Sequence, residues 1–200
     1  MITLSKQLKQ RWQLGTVAIL STCAVVLPQL PVRATPLGEP IQLTQAQMAQ
    51  VQWPVFTSST GRFAVELPQP PEMVTETDEI DGEPIEIYQF DSKTDTSSYT
   101  VVYSDLPASY LSKGAEVVLD EIRDYVLEDM ADEAELNVAL AASETGVQLG
   151  RYPGRQYQYS GGDFTVNMRL YLVGERMYLI AGADVEAAQL NQFVNSFELL

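Results

Sequence analysis

Apolar and polar residues alternate along several short stretches of the chain, and this period of two predicts β-strands. In the first half, prolines at positions 68, 70 and 71 end the first of these strands. Asp81-Gly82 is a dipeptide typical of a tight hairpin turn, and it joins the second strand to the third. The strands predicted here span residues 62–67, 73–79, 84–90 and 99–103.

Two stretches of the second half show helical spacing instead. Ser112 resembles a helix N-cap, and the apolar residues that follow it predict a helix to about Asp132. A last helix is predicted to begin near Asp184. Its inward-facing residues are expected to be Leu190, Phe193, Val194 and Phe197.

Turn signals separate the remaining strands. Tyr152-Pro153-Gly154-Arg155 has the Pro-Gly order of a type II turn, Gly161-Gly162 predicts a second turn, and Gly174-Glu175 suits a two-residue hairpin. The strands predicted around them span residues 136–143, 156–159, 163–173 and 176–182.

Two of these strands lack a polar face. Residues 170–173 and 177–180 are apolar at successive positions, so both faces of each strand must be covered. Two helices are available as cover. The sequence therefore predicts an α+β fold in which an antiparallel sheet carries a helix on each face, rather than a sandwich or a barrel.

The first 34 residues have the three-part pattern of a secretory signal peptide. A basic start is followed by an apolar run over residues 14–27, and Val32-Arg33-Ala34 predicts cleavage after Ala34. Residues 35–50 are then expected to form a flexible tether and residues 51–200 the folded domain. An uncleaved anchor is an alternative, although the run is shorter than the roughly 20 residues that span a bilayer. Lipidation of Cys23, in a segment similar to a lipoprotein box, is another alternative.

The amino-acid composition argues against several classes of catalytic and binding function. The chain has 12 basic and 27 acidic side chains, no His and one Cys. Without His there is no Ser-His or Cys-His nucleophile pair, and a net charge of −15 argues against nucleic-acid binding. Loss of the leader would remove four cations and Cys23, leaving a net charge of −19 and no soft ligand for zinc or copper.

The densest acidic surface is expected on the first helix, where four acids recur at every fourth residue. They are Glu116, Asp120, Asp124 and Glu128. Three interpretations stay open: a solvated helix face, a docking face for a basic partner, or a weak oxygen-ligand site for Ca²⁺ or Mn²⁺.

A second acidic group surrounds the predicted Asp81-Gly82 hairpin, where its charge discourages strands from pairing edge to edge. This group comprises Glu76, Asp78, Glu79, Asp81, Glu83 and Glu86.

Arg155 is expected to share a strand face with Tyr157 and Tyr159, near an aromatic ring or a carboxylate. The Pro-Gly turn and the alternating tyrosines explain this segment without a ligand.

A hydrolase that uses two carboxylates stays an alternative function, although no motif selects the pair.

Five segments, taken in order, resemble the PsbP-like group, whose namesake is an extrinsic photosystem II subunit. The resemblance covers residues 53–200, and its motifs are mostly turns and core positions. The segments are Arg-Phe-x-Val-x-Leu-Pro at 62–68, Leu-Asp-x-x-Arg-Asp at 119–124, Gly-Arg-Tyr-Pro-Gly-Arg at 150–155, Arg-Leu-Tyr-Leu-Val-Gly-x-Arg-x-Tyr at 169–178 and Phe-Val-Asn-Ser-Phe at 193–197.

This resemblance implies an α/β/α sandwich without enzyme activity. It also implies a place in the thylakoid lumen or periplasm of a photosynthetic bacterium. Together with the leader and the acidic helix, the resemblance leads us to expect docking to a membrane complex such as photosystem II. We expect the protein to be a monomer that is peripheral to the membrane. Some members of the group have metal-binding His residues. This chain has none, which speaks against a zinc role.

Overall fold

A computed structural model describes residues 52–134, 145–161 and 164–200. The strands and helices are β1 (Val55–Ser58), β2 (Phe63–Glu66), β3 (Glu72–Ile80), β4 (Glu83–Lys93), β5 (Ser98–Asp105), α1 (Ala108–Leu111), α2 (Ala115–Ala134), β6 (Thr145–Leu149), β7 (Tyr152–Gly161), β8 (Phe164–Val173), β9 (Arg176–Ala183), α3 (Ala187–Ser196) and β10 (Glu198–Leu199).

Seven strands form one antiparallel sheet in the order β3-β4-β5-β9-β8-β7-β6. Three short strands form a second antiparallel sheet in the order β1-β2-β10. The predicted α+β class with an antiparallel sheet is confirmed. The second sheet was not predicted, because β10 has only two residues and carries no periodic signal.

The large sheet has a hydrophobic core on each of its faces. On one face, Val118 and Ile122 of α2 pack with residues such as Met168 of β8. On the other face, Phe63 of β2 and Phe193 of α3 pack with Ile180 of β9. All eight residues of β9 are buried, so the prediction that this strand has no solvent-exposed face is confirmed.

Two hairpins form at the predicted dipeptides. Asp81 and Gly82, with φ values of 53° and 83°, close the turn between β3 and β4. Gly174, with a φ of 65°, begins the two-residue loop between β8 and β9. Positive φ at these positions matches the twist of the flanking strands, which explains why local sequence alone located them.

The turn predicted at residues 152–155 is wrong. These residues lie within β7, and the chain reverses at Gly150-Arg151 instead, where Gly150 has a φ of 62°. The glycine of the Pro-Gly pair serves another purpose. A Cβ on Gly154 would lie 2.4 Å from Cδ1 of Tyr171 and 2.5 Å from the carbonyl oxygen of Leu170. Gly154 therefore lets β7 pass under the Tyr171 ring.

The start of the long helix also differs from the prediction. Ser112 follows the last residue of α1, and its hydroxyl donates a hydrogen bond to the Ser109 carbonyl. Gly114, with a φ of 92°, redirects the chain so that α2 begins at Ala115. The serine resembled an N-cap because the sequence does not reveal the single helical turn before it.

Several predictions fall outside the described residues. The leader with its cleavage after Ala34, the tether and the strand at 136–143 all lie there, as does part of the Gly161-Gly162 turn. The domain limits of 51–200 stay a prediction. Near the predicted start of the last helix, α3 begins at Ala187, with Phe193 and Val194 buried.

A buried arginine joins the turn between β1 and β2 to the large sheet. Arg176 donates two hydrogen bonds of 2.6 Å to the Asp105 carboxylate and one of 2.7 Å to the Thr60 carbonyl. Its guanidinium lies 4.6 Å from the centre of the Tyr103 ring. The Tyr178 hydroxyl adds a 2.7 Å hydrogen bond to the Gly61 carbonyl. These contacts hold the small sheet against β5 and β9.

The Arg176–Asp105 pair predicts a pH dependence of stability. Hydrogen bonds from Arg176 lower the pKa of the Asp105 carboxyl below its usual value. Its stabilisation is therefore complete above the ordinary carboxyl range near 4 and is lost as the pH falls through the lowered pKa. We expect Asp105→Asn to reduce the free energy of unfolding at pH 7, and the difference from wild type to shrink toward pH 3. Urea unfolding at the two pH values measures this. The control is Asp95→Asn, at an exposed loop position, and an equal Asp105→Asn effect at both pH values would contradict the assignment.

Gly154 allows a second prediction. We expect Gly154→Ala to destabilise the fold by about 1–3 kcal/mol, because the new methyl group clashes with backbone and cannot be accommodated by a rotamer change. Gly146→Ala on the adjacent strand β6 is the matched control, since a Cβ there meets nothing within 4 Å. Thermal unfolding compares the two variants. Equal melting temperatures would show that the close approach at Gly154 does not matter.

Candidate docking surface on helix α2

One side of α2 packs on the large sheet and the other carries carboxylates. Val118, Leu119 and Ile122 are buried against the sheet. The structure places the predicted acids on the same helix, all of them at least partly exposed. These four are Glu116, Asp120, Asp124 and Glu128, which are called the acidic face below.

Arginines pair with three members of the acidic face. Glu116 forms an ion pair with Arg155 of β7. Arg123 contacts the Asp120 carboxylate at 3.3 Å and the Asp124 carboxylate at 2.8 Å. Both arginine side chains are far less exposed than the carboxylates they contact. The two arginines therefore reduce the repulsion between neighbouring carboxylates, while the carboxylates themselves remain at the surface.

Arg155 was expected to lie near an aromatic ring or a carboxylate, and the structure places it beside a carboxylate. It shares a strand face with Tyr157, as predicted, and its partner is Glu116 rather than an acid on its own strand. Arg123 of α2 also lies near this strand, 6.0 Å from the centre of the Tyr157 ring. Hydrogen bonding to Asp124 raises the pKa of Arg123 above its usual value, so its charge is permanent. Sequence reasoning could not find the Arg155–Glu116 pair, because it depends on how α2 crosses β7.

The second acidic group lies on and beside the β3–β4 hairpin, where several of its members fasten the hairpin to the helices. The buried Asp78 accepts a 2.9 Å hydrogen bond from the Tyr125 hydroxyl of α2. Lys113 contacts both Asp81 at the hairpin tip and Glu121 of α2, each at 2.8 Å. These residues therefore have structural partners that the sequence pattern did not reveal.

The same corner contains a buried tyrosine. Tyr110 of α1 is almost fully buried, and the Lys113 ammonium lies 4.3 Å from the centre of its ring. Burial raises the pKa of the Tyr110 hydroxyl, and the negative charge of the nearby Glu121 raises it further. Tyr110 is therefore neutral at physiological pH and packs as an apolar residue.

Across residues 52–134, 145–161 and 164–200, no three His, Cys, Asp or Glu side chains are grouped so that they could hold a metal ion. The four residues of the acidic face follow one another along the helix rather than surrounding one point. A Ca²⁺ or Mn²⁺ site stays a prediction from the sequence.

Within the described residues, no helix is both long enough and apolar enough to cross a bilayer.

No protein-family model matches the sequence, and no curated protein matches it. Among solved structures, the chain is similar to cyanobacterial PsbP (CyanoP) from Synechocystis sp. PCC 6803, with a TM-score of 0.53 and 9% sequence identity. That match covers 77% of this chain and 96% of the CyanoP chain. A protein from Bacteroides thetaiotaomicron matches with a TM-score of 0.39 and 15% identity, over 74% of this chain and 49% of that one. The resemblance found in the sequence is confirmed at the level of the fold, and the chain has a PsbP-like fold.

Proposed function

We propose that this chain is an exported, non-catalytic accessory protein that docks to a membrane protein complex, with photosystem II as the first candidate. The observation that carries the proposal is the structural likeness to CyanoP, which extends over nearly the whole of that chain. In this proposal the domain is an α/β/α sandwich, with a helix on each face of its sheet. It acts as a monomer, peripheral to the membrane, in the thylakoid lumen or periplasm.

The acidic face of α2 is the docking surface in this proposal. Its carboxylates are exposed, so they can contact a basic partner without first being freed from the protein interior. Arg123 and Arg155 hold Asp124 and Glu116 in place, which lowers the conformational entropy that these side chains lose on binding. Exposed charges at an interface mainly speed association and make it sensitive to salt.

Neutralising the acidic face tests this assignment. We expect the triple variant Asp120→Asn, Asp124→Asn, Glu128→Gln to bind host membranes about tenfold more weakly at low salt, since each exposed pair contributes only a fraction of a kcal/mol. Its binding should also depend less on salt. Co-sedimentation of the exported protein with washed membranes, at low and high salt, measures both effects.

A matched control separates this face from net charge. The variant Glu175→Gln, Glu186→Gln, Glu198→Gln also removes three exposed carboxylates, and none of them lies on α2. We expect it to bind like wild type. Equal weakening of both triple variants would show that overall charge, and not the acidic face, drives binding.

The partner is tested separately, by affinity capture of the tagged protein from solubilised membranes. We expect photosystem II subunits to be recovered at low salt and lost at high salt. Recovery of another complex with the same salt dependence would overturn photosystem II as the partner while leaving the docking face intact. Recovery of no complex at either salt would overturn docking itself.

A further inference from the structure

Strand β3 ends the large sheet on one side. All nine of its residues pair with β4 in unbroken register, from Glu72 opposite Asp91 to Ile80 opposite Glu83. Among residues 52–134, 145–161 and 164–200, no strand pairs with its other side. That side of β3 is therefore an edge of the sheet, and the pairing of β3 with β4 has no bulge.

The hairpin turn identifies the residues that point outward. Ile80 and Glu83 flank a two-residue turn, so they form a hydrogen-bonded pair, and every second residue of β3 before Ile80 also bonds to β4. Met73, Thr75 and Thr77 consequently direct their N–H and C=O groups away from the sheet. At the next outward position, the Glu79 N–H donates a 2.7 Å hydrogen bond to Asp78.

The side chains of β3 differ between its two faces. On one face Met73, Thr75 and Thr77 are uncharged and exposed, Met73 retains 62% of its accessible surface, and Glu79 beside the hairpin turn is the acid of that face. Glu72 and Glu76 lie on the opposite face, which is the face that α2 covers. The strand contains no proline, no lysine and no bulge, so acidic side chains are its protection against edge-to-edge pairing. Its negative charge opposes pairing with a second copy of the same strand.

We propose that the outer edge of β3 binds an extended basic segment of a partner protein, which adds to the sheet as an eighth strand. Main-chain hydrogen bonds to Met73, Thr75 and Thr77 provide the affinity. Because the strand period is two, a segment that alternates Lys or Arg with Val or Thr matches both faces at once. Its cations lie beside Glu72 and Glu76, and its small apolar residues lie beside Met73. This surface is separate from the acidic face of α2 and does not depend on its proposed role.

A synthetic peptide serves as the probe. The fluorescently labelled sequence Lys-Val-Lys-Thr-Lys-Val-Lys-Thr-Lys has the required alternation, and a peptide of identical composition with its five lysines in one block does not. We expect the alternating peptide to bind the full chain about tenfold more tightly by fluorescence anisotropy, because only it can combine both contacts with the ladder of hydrogen bonds. Equal affinity of the two peptides would reduce the interaction to general charge attraction and overturn the proposal.

A proline at the edge tests the hydrogen bonds directly. Thr75→Pro removes an outward N–H and leaves the pairing with β4 intact, since proline is tolerated on edge strands where its nitrogen faces solvent. We expect this variant to lower the affinity for the alternating peptide about tenfold, while Thr75→Val, which keeps the N–H, binds within about twofold of wild type. Circular dichroism checks that both variants are folded.

A peptide modification covers the case in which Thr75→Pro fails to fold. N-methylation of every second amide in the alternating peptide removes its donors toward one side, and one of the two methylation registers should abolish binding to the wild-type protein. Unchanged binding of both methylated peptides would overturn the proposal. So would dimerisation of the wild-type chain in sedimentation that Thr75→Pro abolishes, since the edge would then bind a second copy.

The two docking surfaces can be distinguished with the same reagents. The α2 triple variant should bind the alternating peptide within about twofold of wild type, because its substitutions leave the β3 edge unchanged. A tenfold loss in that variant would place the peptide on α2 and overturn the assignment to β3.

Discussion

Burial of the central strands on both of their faces is the constraint from which the rest of the structure follows. All of β9 is buried. In β8, the neighbouring residues Leu170 and Tyr171 lie on opposite faces of the sheet, and both are buried. A sheet that must exclude water from both sides needs two layers of cover. Residues of α2, which lies between β5 and β6 in the sequence, belong to the core on one face, and residues of the small sheet and α3 belong to the core on the other.

The two layers are held by different chemistry. On the α2 side, the core is mainly aliphatic and includes the buried rings of Tyr110, Tyr157 and Tyr159. Polar pairs also join α2 to the sheet, among them Arg155–Glu116 and Tyr125–Asp78. On the other side, aromatic rings dominate. The centre of the Phe63 ring lies 5.4 Å from that of Phe197, 5.6 Å from that of Phe90 and 6.4 Å from that of Tyr103. Arg176 then ties the turn of the small sheet to Asp105.

Acidic residues take two roles in this molecule. Some, such as Asp78 and Asp105, are hydrogen-bonded within the fold and stabilise particular junctions. Others, such as Asp124 and Glu128 on α2, lie at the surface. The proposed docking to a membrane complex uses this second group. The edge of β3 differs again, because main-chain groups would provide its affinity and the acids beside it would select a basic strand.

Short-range patterns were enough to locate the hairpins at Asp81-Gly82 and Gly174-Glu175, most of the strands, the apolar side of α3 and the acids of α2. Each of these depends on residues that are neighbours in the sequence, so propensity and periodicity carry the information. The same patterns suggested a PsbP-like fold. Other features join segments that are far apart in the sequence, and only the tertiary structure decided them. They are the pairing of β10 with β2, the position of Gly154 under Tyr171 instead of in a turn, and the ion pair between Arg155 and Glu116. A contact between segments far apart in the sequence depends on how whole elements pack, and the local pattern of either segment does not contain that information.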